Sequence, residues 1–311
     1  MHSSREIDPE KMVAGPIINQ VAAPSVATPS SLPSSAWAHT KTPWHSTLVL
    51  IRHGQSEWNA ANRFTGWTDI DLTDEGRREA AAGAEALRDI GISRFDRAFT
   101  SELVRAQETL DIVLSSIGQP PWRGAGAASA LVRRHWRLNE RHYGALQGRS
   151  KLEMIDEHGR EQVRLWRQSF DAPPPPVGAD DARHPGNDAA YARVPRHLLP
   201  RGECLRDTQR RVMPYWQRCI APELRLRGRA VLVAAHGHSL RAIVKSLDRV
   251  ADDDIQQVKI PNGVPLLYRL DAAGRPLRLE EDGLISGVWL GDDEARRRVA
   301  NAGQILDRQV A

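Results

Sequence analysis

Two short stretches place a histidine and a glycine directly after an apolar run: Ile51-Arg52-His53-Gly54 and Ala235-His236-Gly237-His238. In open α/β sheets, ligands bind outside the carboxyl ends of the strands. Two His-Gly pairs at such ends would bring two imidazoles and an arginine to one spot. The glycine lets the backbone turn sharply and lets a ligand approach closely. A helix starting after each turn offers N-terminal N–H groups to an anion. One such pair would more often be an ordinary strand-end histidine; two, each after a buried strand, point to a shared anion site. Arg105 lies one turn into a helix that follows another strand, so it can reach the same edge. A lone helical arginine is usually solvated, and Arg105 matters only through this company. The segment Trp136 to Gly148 mixes Trp, Tyr, Glu, two Arg and small residues without a helix or strand period, as a site-lining loop does.

The elements that must position these groups are legible from pattern. Thr47 to Ile51, Asp96 to Thr100, Arg229 to Ala235 and Gly263 to Leu270 read as short, buried strands. A helix is expected near Ser56. Thr73 is the expected N-cap of another, with Asp74 and Glu75 in its first turn and Gly91 as its stop. Ser101 is expected to cap a helix through Ile117, and a further helix is expected over Ser239 to Leu247. Strands alternating with helices predict an α/β fold, a three-layer α/β/α sandwich around a largely parallel sheet.

Residues 1–46 hold six prolines, many Ser and Ala, and no apolar period, so they read as a disordered arm before a single catalytic domain over 47–311. The arm is a poor signal or transit peptide, since its apolar runs are short and it carries Glu6, Asp8 and Glu10. Residues 171–200, with Pro173 to Pro176, read as a functional insertion near the site. The 311 residues are 41% hydrophobic and 26% charged, which excludes pure disorder. No run approaches the roughly 18 apolar residues of a membrane span. The net charge of +4 is too balanced to argue for nucleic acid and suits a small anionic ligand. The clusters Arg133-Arg134, Arg210-Arg211 and Arg296-Arg297-Arg298 read as solvated faces rather than a nucleic-acid surface. Two cysteines, Cys204 and Cys219, exclude a disulfide scaffold and fit a reducing, cytoplasmic compartment. No set of carboxylates, His or Cys has the spacing of a metal site.

Taken in order, the motifs resemble those of a known family. Arg52-His53-Gly54-Gln55-Ser56-Glu57-Trp58-Asn59 followed by Asn62 to Trp67, the loop Leu138 to Gly148, Ala235 to Ala242, Ile260 to Pro265, Trp289 to Asp292 and Ala300 to Gln304 are similar to segments of the cofactor-dependent phosphoglycerate mutases of the histidine phosphatase superfamily. The resemblance runs from about residue 47 to about 305. It implies that His53 is the phosphoryl-carrying nucleophile and Glu140 the general acid and base, a role that favours a carboxyl pKa raised toward neutrality. Arg52, Arg105 and His236 would clamp the transferring group. Contacts to the rest of the substrate are implied at Ser56, Asn59, Thr65, Gly66, Arg141, His142, Tyr143, Lys151, Arg167, Gln168, Gly237 and His238. The implied reaction is the isomerisation of 3- and 2-phosphoglycerate in glycolysis and gluconeogenesis. It would run through a phosphohistidine and a 2,3-bisphosphoglycerate intermediate, with 2,3-bisphosphoglycerate as priming donor and no metal. A bisphosphorylated glycerate carries about −4 to −5, which a cluster of arginines and lysine would match. The family often forms homodimers or homotetramers, and neither nucleic acid nor membrane is an expected partner. A lid is implied, with the tail from Gly291 and the Pro-rich insertion as candidates.

Three positions depart from the family pattern. Gln168 stands where an arginine is usual, His238 where an asparagine is usual, and Leu199 to Leu205 differs from the usual segment while keeping Glu203. Weaker substrate binding with retained chemistry is the expectation, because a neutral amide cannot replace a guanidinium fork. A phosphomonoesterase of the same superfamily, or a bisphosphoglycerate synthase or phosphatase, is the alternative.

Overall fold

The computed structural model describes residues 26–27, 45–123, 131–279 and 283–301. Most of the expected arm therefore lies outside the described residues, as do 302–311 of the expected tail. The elements in chain order are β1 (Val26–Ala27), β2 (Ser46–Arg52), α1 (Glu57–Ala60), α2 (Asp74–Asp89), β3 (Arg97–Thr100) and α3 (Val104–Ser116). They continue as β4 (Val132–Arg134), α4 (Lys151–His158), α5 (Arg160–Gln168) and α6 (Leu205–Tyr215), the last running through a π turn into α7 (Ala221–Leu224). The chain then forms β5 (Ala230–Ala235), α8 (Gly237–Asp248), β6 (Pro265–Leu270), β7 (Pro276–Leu277), β8 (Val288–Leu290) and α9 (Asp293–Asn301).

The strands form one sheet in the order β1-β8-β6-β2-β5-β3-β4, with β7 paired to β6. The central strands β2, β5, β3 and β4 are parallel, while β6 runs antiparallel to β2, β7 and β8. Successive side chains of a strand face opposite sides of a sheet. Leu48 and Leu50 accordingly join Val231, Val233 and residues of α6 and α8 in one core, and Val49 and Ile51 join Leu232, Ala234 and residues of α2 and α3 in the other. Both faces are thus covered, which is why these strands read as unbroken apolar runs.

Local chemistry explains the helix starts. Thr73 accepts a hydrogen bond from Gly76 N, so it caps α2 as expected, and Ser56 accepts from Asn59 N at the start of α1. Ser101 does not cap α3. The N-cap is Leu103, without a side-chain cap bond, and Ser101 Oγ accepts from Leu103 N while facing His236. A serine two residues before the N-cap was free to serve the sheet edge instead.

The glycine after the first histidine also has another reason than the expected ligand approach. A Cβ on Gly54 would lie 2.0 Å from Gly76 O, so the two glycines let the β2 turn pack directly on the first turn of α2.

Candidate active site

Strand register builds the site. Arg52 is level with Ala235 across β2 and β5, and Thr100 with Ala234 across β3 and β5. The next residues along, His53, His236 and Ser101, therefore emerge together at the carboxyl edge of the sheet. The rings of His53 and His236 lie with centroids 5.0 Å apart and planes at 59°. His53 Nδ1 is 2.6 Å from Gly54 O. A carbonyl can only accept, so Nδ1 carries the proton and Nε2 bears the free lone pair. Burial, reinforced by Arg105 and Arg52, holds His53 well below its usual pKa, so the ring is neutral and its Nε2 lone pair is available.

His236 Nε2 lies 2.7 Å from Ser101 Oγ. Ser101 Oγ already accepts from Leu103 N, so its hydroxyl proton can point at Nε2, which leaves the ring proton on Nδ1. That Nδ1 is buried and has no partner. Arg105 is 1% exposed and anchored by bonds to Thr68 O (2.9 Å) and Gly66 O (2.8 Å). Burial pulls it down to about 10, so it stays charged at neutral pH. Arg52 is anchored on Ile260 O at 3.0 Å. The Nε atoms of Arg52, Arg105 and Arg241 and the hydroxyl of Thr65 are buried without partners. Unsatisfied donors of this kind cost stability unless a ligand takes them up.

These groups border a cleft of about 520 Å³. Its lining includes Arg52, Arg105, Lys151, Arg167 and Arg241 against the carboxylates Glu79 and Glu140, an electropositive cavity. Burial, then Arg167 and Arg52, pulls the Lys151 ammonium down to about 7. An entering anion would reverse that and draw a proton onto it.

Of the residues expected at the ligand, His53, Asn59, Thr65, Gly66, Tyr143, Gln168, Gly237 and His238 also line the cleft. Ser56, Arg141, His142 and His236 do not. Ser56 is spent on capping α1. His142 is turned away, its Nδ1 accepting from Gly144 N and its Nε2 3.3 Å from Arg183 O. Arg141 is fully buried, donates to Arg167 O at 3.0 Å and stacks its guanidinium 4.5 Å from the Tyr143 ring. His236 stands behind the cleft against His53. Sequence reasoning did not assign Arg241, Asn262, Lys259 or Glu79 to the site, and it read Arg298 as part of a solvated face; all five line the cleft, and Arg298 is drawn in by Glu79. Arg241 follows His236 by little more than one helical turn, a spacing that could have flagged it.

Glu140 departs from expectation. Burial alone would raise its carboxyl, but His238 beside it, the His238 hydrogen bond, His236 and the Arg141 N–H together hold it well below the usual range. Before ligand enters, Glu140 is a carboxylate ready to accept a proton.

The loop that carries Glu140 is stapled from behind. Arg211 and Glu203, with side chains 6% and 4% exposed, form a two-pronged ion pair at 2.7 and 2.9 Å. Arg211 also donates to Arg137 O and Glu140 O, and Glu203 accepts from His142 N. Trp67 Nε1 donates to Glu140 O at 2.6 Å. Thus Arg211 is not part of a solvated basic face, although its neighbour Arg210 is largely exposed. Breaking a buried pair strands the partner charge. Arg211→Met is therefore expected to lower unfolding stability by about 3–5 kcal/mol in urea titrations. A loss below 1 kcal/mol would show that the staple carries no weight.

The Pro-rich insertion buttresses the loop that carries Glu140. No residue of 171–200 lines the cleft. Pro175 O accepts from Ala145 N, Tyr191 OH accepts from Asn139, and Arg183 donates to Ala145 O and Gln147 O. Gly144, at φ +57°, lies so close that a Cβ there would sit 2.1 Å from Pro175 O. The tail does reach the cleft, through Arg298 of α9, which pairs with Glu79 at 3.4 Å.

A sheet-edge imidazole pair with arginines and a loop carboxylate defines a phosphoryl-handling site on an α/β scaffold. A family model for the histidine phosphatase superfamily (branch 1) matches residues 48–182 and 179–280, and the chain belongs to that superfamily. A 2,3-bisphosphoglycerate-dependent phosphoglycerate mutase of Nitratidesulfovibrio vulgaris (strain Hildenborough) is 49% identical over 262 residues, 83% of this chain and 98% of that protein. Solved structures share the fold at lower identity. Mycobacterial hydrolase 1 has a TM-score of 0.55 at 23% identity over 74% of this chain and 95% of its own. The alpha-ribazole phosphatase of Shigella flexneri has a TM-score of 0.53 at 21% identity over 78% of this chain and 98% of its own. Among the described residues no helix is long and apolar enough to cross a membrane.

Proposed function

We propose that this protein is a 2,3-bisphosphoglycerate-dependent phosphoglycerate mutase, an isomerase that interconverts 3- and 2-phosphoglycerate by way of a phosphohistidine. The likeness to the N. vulgaris mutase, nearly end to end, supports that substrate pair. The observation that carries the chemistry is His53: its Nδ1 is committed to Gly54 O, so Nε2 is the free atom in a cationic cleft.

The residues present fit a doubly phosphorylated glycerate. The buried Nε atoms of Arg52, Arg105 and Arg241 and the Thr65 hydroxyl lack partners, and the cleft is rich in cations. When bound, 2,3-bisphosphoglycerate supplies the phosphoryl group that primes His53. His53 Nε2 attacks phosphorus in line. Arg52 and Arg105 hold the equatorial oxygens as their charge develops, and His236, packed against the His53 ring, keeps the nucleophile in line. Glu140 takes the proton of the accepting hydroxyl and returns one to the leaving oxygen. Lys151, Arg167 and Arg241 hold the far end of the substrate. Gln168, in the lining, contributes only neutral hydrogen bonds there.

An enolase-coupled assay on 3-phosphoglycerate, with and without added 2,3-bisphosphoglycerate, tests the function. Isomerisation that depends on the primer supports it, and phosphate release without isomerisation overturns it in favour of a phosphatase. Gln168→Arg adds a charge-assisted contact, so its Michaelis constant should fall about tenfold or more with kcat little changed. Unchanged constants would place residue 168 away from the ligand.

A further inference from the structure

The two oxygens of Glu140 are not equivalent. Oε1 accepts from Arg141 N at 2.7 Å, from His238 N at 3.1 Å and from His238 Nδ1 at 3.0 Å. Oε2 lies on the other side, where a Cβ on Gly237 would sit 3.7 Å from it and equally far from Arg52. The His238 ring is placed from two sides: Nδ1 donates to the carboxylate at 3.0 Å, and Tyr143 packs perpendicular to the ring with centroids 6.0 Å apart. This packing keeps the Nδ1–H aimed at Oε1.

We propose that His238 is a positioning residue for Glu140: its imidazole ties down Oε1, leaves Oε2 as the single proton-transferring oxygen, and keeps the carboxyl ionised between turnovers. The inference rests on the mutase reading of the site. Burial, then Arg141, pulls His238 down to about 4, so the ring is neutral at working pH with its one proton on Nδ1. The charged and titratable groups around the pair are Arg52 of β2, Arg105 of α3, His53, His236, Arg241 of α8, and Arg141 and Tyr143 of the loop. The arginines act on Glu140 in the same direction as His238, but among the described residues only His238 donates a side-chain hydrogen bond to it. Removing the imidazole takes away that donor and leaves the other groups in place. The pKa of Glu140 then rises, and the acid limb of kcat/KM moves to higher pH.

The experiment is the pH profile of kcat and kcat/KM for wild type, His238→Leu and His238→Asn, read by 31P NMR of quenched reactions, with thermal unfolding as a check on folding. His238→Leu should lose about tenfold or more in kcat and shift the acid limb up by about one pH unit or more. His238→Asn, whose side-chain amide can donate from nearly the position of Nδ1, should recover most of kcat and shift the limb less. An unmoved limb in folded His238→Leu, or an Asn variant that behaves like Leu, overturns the proposal. If His238→Leu fails to fold, the Asn profile decides: an Asn limb and kcat equal to wild type support it, and a tenfold fall in Asn kcat overturns it. A wild-type enzyme that releases phosphate without isomerising overturns the mutase reading alone, because the same limb is then read on phosphate release. A wild type inactive in both assays overturns both.

Discussion

His53→Ala will abolish turnover, with isomerisation falling by roughly 10⁵-fold or more, as expected when a covalent nucleophile is removed. The geometry makes the residue irreplaceable within this cleft. Its Nδ1 is locked to Gly54 O, Nε2 is unprotonated, and Arg52 and Arg105 surround the site that a phosphoryl group would occupy. His236 cannot substitute, because Ser101 holds its Nε2 and the ring stands outside the cleft lining. Incubation with labelled 2,3-bisphosphoglycerate should put acid-labile phosphate on the wild type and none on His53→Ala. The variant should fold normally, since a smaller side chain at the cleft wall removes one charge-neutral ring and no core contact. Label retained on the variant would move the nucleophile elsewhere and sink the mechanism.

Glu140→Gln carries the next largest effect. The amide can keep its oxygen toward the Arg141 and His238 N–H groups, so the loop need not move. It cannot take or give a proton. Loss of a positioned general acid and base costs about 10² to 10⁴ in rate. A fall of that size in kcat, with KM within a few-fold of wild type, is the expected outcome in the coupled assay. Should the variant keep more than a tenth of wild-type kcat, the proton must travel by another route.

Much of this site was legible because its signals are local. The apolar runs before His53 and His236 mark strands covered on both faces, and a histidine that ends such a strand emerges at the sheet edge. Thr73 with Asp74 and Glu75 marks a helix start for the same kind of reason: the cap is made by residues a turn apart. Features set by contacts between distant segments were not legible. Arg210 and Arg211 read alike in sequence, yet one is solvated and the other is buried on Glu203 beneath the catalytic loop. Ser101 reads as a helix cap and is taken by His236 across the sheet. The proline run reads as a lid by position, and packs against the back of Gly144 and Ala145.

By itself the sequence determined the kind of scaffold and which segments meet at its edge. Strand periodicity and the two His-Gly ends are properties of residue type and spacing, and they lead to a pair of histidines at the edge of an α/β sheet; the phosphoryl-carrying role of His53 is what the family resemblance implies. Tertiary structure alone decided which nitrogen of His53 is free, that Glu140 rests as a carboxylate, and that Arg241 and Arg298 join the cleft while Arg141 and His142 do not. Those outcomes depend on a carbonyl, a ring or a buried charge supplied from a far part of the chain. Proton position and desolvation answer to such neighbours, and spacing along the chain does not encode them.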